Sequence, residues 1–190
     1  MKVHFVGDLS GNKHDYQKII AKIKNLGYEL ISDHSVTKNL SDIKNETPEE
    51  AELYIKKMNR WMKTADIVLF ETTLPYLGAG FEVSYALQLG KPVIVLYKPN
   101  GQNTPYILRG INNKKLQVVS YNDNILDEVL KESLLEAQEY VDVRFNFFIS
   151  PEIGSYLDWI SKNKRIPRAV YLRHLIEEDM KNNQEYNQEV

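Results

Sequence analysis

Ala65-Asp66-Ile67-Val68-Leu69-Phe70-Glu71 runs into Thr72-Thr73-Leu74-Pro75-Tyr76-Leu77 and then into Gly78-Ala79-Gly80-Phe81-Glu82. The apolar run from Ile67 to Phe70 predicts a strand buried on both faces. The glycine pair predicts a tight turn, Val83 to Leu89 a short apolar helix, and Pro92 to Tyr97 a second buried strand. Strand, glycine turn, helix, strand is the unit in which α/β proteins gather a ligand at the carboxyl end of the sheet. Glu82 stands in the first turn of that helix, two residues past Gly80. On its own, a carboxylate there also suits a purely structural role, because a helix amino terminus favours negative charge.

Working outward, the same alternation recurs. Val3 to Val6 predicts a first strand, ending at Gly7 and a loop, Gly7-Asp8-Leu9-Ser10-Gly11-Asn12. His14 to Asn25 places Tyr16, Ile19, Ile20 and Ile23 at helical spacing, and Gly27 supplies the stop. Tyr28 to Ile31 reads as a second strand, and residues 33–46 show no clear element. Thr47-Pro48-Glu49-Glu50 predicts a helix start, with Thr47 as N-cap and Glu50 completing a capping box, running to about Thr64. A polar loop from Lys98 to Thr104, a last strand from Leu116 to Ser120 and a helix from Asn124 to about Tyr140 complete the pattern. Strands alternating with helices imply a parallel sheet with right-handed crossovers. The expected fold of residues 1–138 is α/β, a flavodoxin-like doubly wound five-stranded parallel sheet.

Composition narrows the class. With 190 residues, 43% of them hydrophobic, and a formal charge of −2, the chain is neither disordered nor strongly basic. The sequence contains no cysteine, which removes disulfides and thiolate metal sites. His4, His14, His34 and His174 are scattered without ligand spacing, so neither a metal nor a cofactor is expected. No run approaches the roughly 20 apolar residues of a membrane span, and a soluble cytoplasmic protein is the expectation.

The pattern Ala65-Asp66, apolar strand, Glu71-Thr72, Pro75-x-x-Gly78-x-Gly80-Phe81-Glu82-x-x-x-Ala86, Gly90-Lys91-Pro92, with Arg109-Gly110 downstream, resembles the nucleoside 2-deoxyribosyltransferase family. Within that family it is similar to the 2'-deoxynucleoside 5'-monophosphate N-glycosidases, over about residues 3 to 121. The resemblance implies that Glu82 attacks the anomeric carbon of a nucleoside or nucleotide, with water or a second base as acceptor. It also implies substrate contacts at His4, Gly7, Asp8, Ser10, Tyr76, Gly78 and Gly80. Two departures stand out. Met58 occupies the place of the family's helper aspartate, and His4 that of an early tyrosine. A carboxylate at Asp8 would also repel a 5'-phosphate.

Residues after 140 break the pattern. Val141, Val143, Phe145, Phe147 and Ile149 alternate like a half-buried strand, and two helices follow, from Pro151 to about Ser161 and from Pro167. Strand-helix-helix over residues 141–181 resembles a ribbon-helix-helix domain, in which two chains pair their strands. That resemblance implies a homodimer or higher homo-oligomer, and major-groove contacts from Arg144, Asn146 and Phe148. A dimerisation element without DNA is the plainer alternative, since the segment carries about as many acids as bases. Residues 182–190 read as a frayed tail. Two functions therefore compete: an N-glycosidase or transferase built on Glu82, and a catalytically impaired nucleotide sensor that reports to DNA.

Overall fold

The computed structural model describes residues 1–74, 76–99, 105–141 and 147–184. Two units are distinguished, residues 1–143 and 144–190.

In the first unit the elements follow as β1 (Lys2–Gly7), α1 (Lys13–Asn25), β2 (Glu29–Leu30), α2 (His34–Thr37), α3 (Leu40–Lys44), α4 (Pro48–Thr64), β3 (Ile67–Glu71), α5 (Ala79–Gln88), β4 (Val93–Tyr97), α6 (Tyr106–Arg109), β5 (Leu116–Ser120) and α7 (Leu126–Glu139). The sheet is parallel throughout, in the order β2-β1-β3-β4-β5. This is a doubly wound order, with its switch point between β1 and β3.

Alternation along the central strands divides the core. Val3, Phe5, Ile67, Leu69, Ile94 and Leu96 face α1 and α7, where they meet Tyr16, Ile19, Ile23, Leu130 and Leu134. Val6, Val68, Phe70, Val93 and Val95 face the other way, onto Met58 and Met62 of α4 and Val83 and Ala86 of α5. His4, between Val3 and Phe5, shares this second face by register. Burial on both faces is why these strands read as continuous apolar runs.

The helix signals act as expected at α4. The Thr47 side chain accepts from the Glu50 amide, and the Glu50 carboxylate accepts from Thr47 N at 2.9 Å. Residues 33–46, which showed no element in sequence, hold α2 and α3. Asn39 and Asp42 form a reciprocal cap at the start of α3. Its Asn-x-x-Asp form lies outside the usual Ser/Thr-x-x-Glu pattern, and both helices are too short for periodicity to show.

The second unit holds α8 (Pro151–Lys164) and α9 (Arg168–Asn182), packed on each other. Ser150 caps α8, and Arg165 ends it at φ 55 in the left-handed region. Tyr156 stacks on Trp159, its hydroxyl lies 3.1 Å from that of Tyr171, and Arg168 pairs with Asp158. The expected ribbon strand falls partly on residues 142–146, outside the described residues, and with them Arg144 and Asn146. Residues 147–150 are not in a strand, which corrects the expected reach of that element to Ile149. A lone antiparallel strand has no backbone partner within one chain.

Candidate functional site

Five of the eight residues expected at the pocket meet around one cavity. Gly7 and Asp8 come from the end of β1, Tyr76 and Gly78 from the turn after β3, and Glu82 from the first turn of α5. The cavity has a volume of about 200 Å³, and Val6, Leu9, His34, Leu40, Ile43, Tyr54 and Met58 complete its lining. It lies at the carboxyl ends of β1 and β3, at the switch point where doubly wound sheets hold ligands.

Glu82 is fixed from two directions. Its amide donates to Gly78 O at 2.9 Å, setting it in the helix, and the Tyr76 hydroxyl donates to its Oε2 at 2.5 Å. Burial raises the carboxyl pKa above the ordinary range, while the Tyr76 hydrogen bond partly opposes the rise. The Tyr76 hydroxyl is pushed up in turn, by burial first and then by the adjacent carboxylate. Gly78 is small for a reason: a Cβ there would sit 3.3 Å from the Tyr76 ring. Gly80 has no such neighbour and lines a separate hollow with Val83, Leu87 and Leu108.

The loop after β1 wraps over a tyrosine. A Cβ on Gly7 would come within 2.6 Å of the Tyr16 ring, and one on Gly11 within 1.9 Å of its hydroxyl. Asp8 turns its carboxylate back into this loop and accepts from Ser10 N at 2.8 Å and from the Ser10 hydroxyl. Ser10 therefore lies apart from the Glu82 cavity. It lines a second hollow of about 220 Å³ with Asp15, Tyr16, Glu71 and Thr73. There Glu71 is buried, accepts from the Tyr121 hydroxyl at 3.0 Å and from Thr73, and has its pKa raised by burial.

His4 does not line the cavity. It is fully buried behind it, stacked on His34 with centroids 5.5 Å apart and tilted against Trp61. Both His4 ring nitrogens lack hydrogen-bond partners, and desolvation lowers its pKa from the ordinary 6.5 to about 3. His34, in front of it, has Nδ1 2.9 Å from Ser32 Oγ and Nε2 3.3 Å from Ser35 Oγ, and burial lowers it to about 4. Ser35 in turn accepts from the Gly7 amide at 2.9 Å. The Lys13 ammonium donates to Ser35 O at 2.6 Å within α2 and to Lys38 O at 2.8 Å just past its end. Residues His34, Leu40 and Ile43 were invisible in sequence because their helices were. Tyr54 and Met58 lie four residues apart on α4, one helical face that the capping box alone would have aligned.

Met58 is nearly buried and contributes a thioether to the wall, where the resemblance would place an aspartate. Among the described residues no group of three or more His, Cys, Asp or Glu side chains is arranged to hold a metal ion. No helix among them is long and apolar enough to cross a membrane. Phe148 is fully exposed.

No protein-family model matches the chain. Over 137 residues it is 28% identical to the 5-hydroxymethyl-dUMP N-hydrolase of Danio rerio, covering 70% of this chain and 94% of the relative. It is 29% identical over 135 residues to a putative 2'-deoxynucleoside 5'-phosphate N-hydrolase 1 of Thermofilum pendens, covering 69% of this chain and 91% of that one. The solved 2-deoxyribosyltransferase of Bacillus psychrosaccharolyticus superposes with a TM-score of 0.51 at 19% identity, over 68% of this chain and 90% of that one. The solution structure of BlsM gives 0.53 at 18%, over 79% and 97%. The chain is thus similar in sequence to nucleotide N-hydrolases, and its five-stranded parallel sheet with flanking helices shares the deoxyribosyltransferase fold.

Proposed function

We propose that the Glu82 cavity binds a nucleoside or nucleotide and that the Glu82 carboxylate attacks its anomeric carbon, cleaving the N-glycosidic bond. The observation that carries this reading is the half-buried Glu82 carboxylate, held by a 2.5 Å hydrogen bond from Tyr76 at the carboxyl end of the sheet. A carboxylate so placed can capture an oxocarbenium-like centre, and water then releases the sugar. The names of the relatives support the same bond and the same class of ligand. Among the residues expected to contact substrate, Gly7, Asp8, Tyr76 and Gly78 share the cavity with Glu82. Release of free base from a panel of nucleosides and monophosphates, lost in Glu82→Gln at unchanged melting temperature, is the expected result. Equal release by the variant would remove Glu82 from the chemistry.

Met58 favours a second reading, a sensor that binds the ligand without turnover and passes its occupancy to the C-terminal unit. Thermal stabilisation by ligand without base release would select it. We further propose that residues 141–181 act as a ribbon-helix-helix-like element joining two copies of the chain. DNA contact through Arg144, Asn146 and Phe148 requires salt-dependent binding that Arg144→Ala abolishes.

A further inference from the structure

Resting on the reading of Glu82 as nucleophile, we propose that the substrate carries a positive charge in its leaving group. The class is a pyridinium-type or N7-alkylpurinium-type nucleoside without a 5'-phosphate.

Two features of the cavity point there. The first is its charge. Asp8 and Glu82 both line it, and among the described residues no Lys or Arg does. The nearby ammonium groups are committed elsewhere, Lys13 to two backbone carbonyls and Lys38 to Glu46 and to the Tyr54 ring at 3.8 Å from its centroid. A phosphate dianion would meet the Glu82 carboxylate and the nearby charge of Asp8, whose carboxylate is turned toward Ser10. The described lining residues offer it no counter-charge, whereas a cation would be attracted by both carboxylates.

The second feature is the lack of an acid. Breaking a bond between C1' and a neutral base leaves an anion unless a group donates a proton, a service usually worth roughly 100-fold or more. Met58 has no proton to give. His34 is neutral near pH 7, and its ring nitrogens face Ser32 and Ser35. The Tyr76 hydroxyl is already given to Glu82, and burial pushes the Tyr54 hydroxyl up to about 12. Asp8 is engaged as an acceptor by Ser10. A leaving group that is already cationic removes the need. A Glu82 oxygen bonds to C1' as the C1'–N bond breaks, and the electron pair passes to the ring nitrogen and cancels its charge. Water then displaces the carboxylate from C1', and its extra proton goes to solvent, so each turnover consumes one water and releases one proton. A cavity of about 200 Å³ suits a nucleoside better than a dinucleotide, being smaller than the roughly 300–1,000 Å³ of ordinary ligand pockets.

The test uses the full chain with nicotinamide riboside and N7-methylguanosine, their 5'-monophosphates, and neutral guanosine and uridine with their monophosphates, in ribo and 2'-deoxy forms. Expected are a kcat/KM at least roughly 100-fold higher for cationic than for neutral nucleosides, a loss on adding the 5'-phosphate, and no cleavage by Glu82→Gln. Asp8→Asn should reduce the penalty for phosphate, and Met58→Asp should narrow the gap between cationic and neutral leaving groups. Neutral monophosphates cleaved as fast as the cationic nucleosides would overturn this proposal and leave the glycosidase reading standing. No release from any member, the activated cations included, would overturn both.

Discussion

At the scale of single residues, the proposed chemistry depends on two opposing influences on the Glu82 carboxyl. Desolvation works against the charge and the Tyr76 hydroxyl works for it. Removing that hydroxyl in Tyr76→Phe should raise the Glu82 pKa further. The acid limb of a pH–rate profile is then expected to move to higher pH; an unmoved limb would mean that another group controls it. The two stacked histidines make a separate prediction for stability. Their folded pKa values, about 3 for His4 and about 4 for His34, lie below the unfolded 6.5. The stability they contribute is fully present above pH 6.5 and is lost as pH falls toward 4, because unfolding then takes up protons. Each can contribute a slope of up to about 1.4 kcal/mol per pH unit. Burial raises Glu71 and Glu82, which act in the opposite sense. Urea unfolding of His4→Leu should therefore show a shallower loss between pH 6.5 and 4 than the unsubstituted chain. Parallel curves would mean that His4 takes no part.

At the scale of elements, the β1–α1 loop is shaped by a side chain beneath it. Tyr16 is anchored among Ile19, Ile23 and Phe5, and its ring leaves no room for a methyl on Gly7. Gly7→Ala should lower stability by about 1–3 kcal/mol, the range of an overpacked core, and displace Asp8 from the cavity. An unchanged melting temperature would show that Tyr16 gives way freely. The same loop shows where sequence reading succeeds. Strands buried on both faces and the Thr47-Pro48 helix start follow from local rules and fold as they require. The expected glycine turn, by contrast, is shorter than its sequence suggests: α5 begins at Ala79, four residues before the expected Val83, and takes in Gly80 and Glu82. The cavity wall did not follow from local rules, because α2 and α3 are only 4 and 5 residues long and are fixed by tertiary bonds from Gly7 and Lys13. Ser10 was legible as a loop residue, and Gly80, expected in the turn, lies inside α5; which way each faces depends on Asp8 and on α5 packing, and no spacing rule encodes that.

At the scale of the whole chain, α8 and α9 expose Ile153, Tyr156, Trp159, Val170, Leu175, Ile176 and Met180. So many apolar side chains on one helix pair are rarely left in water. Under the proposed pairing of two copies, light scattering should give at least twice the monomer mass, with Trp159→Ser together with Ile176→Ser lowering it. A monomeric unsubstituted chain would discard the pairing. In the first unit, α1 and α7 pack on one face of the sheet, while Leu40 and Ile43 of α3 and Tyr54 and Met58 of α4 wall the cavity on the other side. The Lys13 ammonium helps to moor that wall, reaching one carbonyl within α2, Ser35 O, and one just past its end, Lys38 O. The mooring is a matter of timing. Under the proposed function, Lys13→Met should leave base release by Glu82 intact yet speed amide exchange in residues 34–44 and quicken both arrival and departure of ligand, a change in residence time more than in affinity.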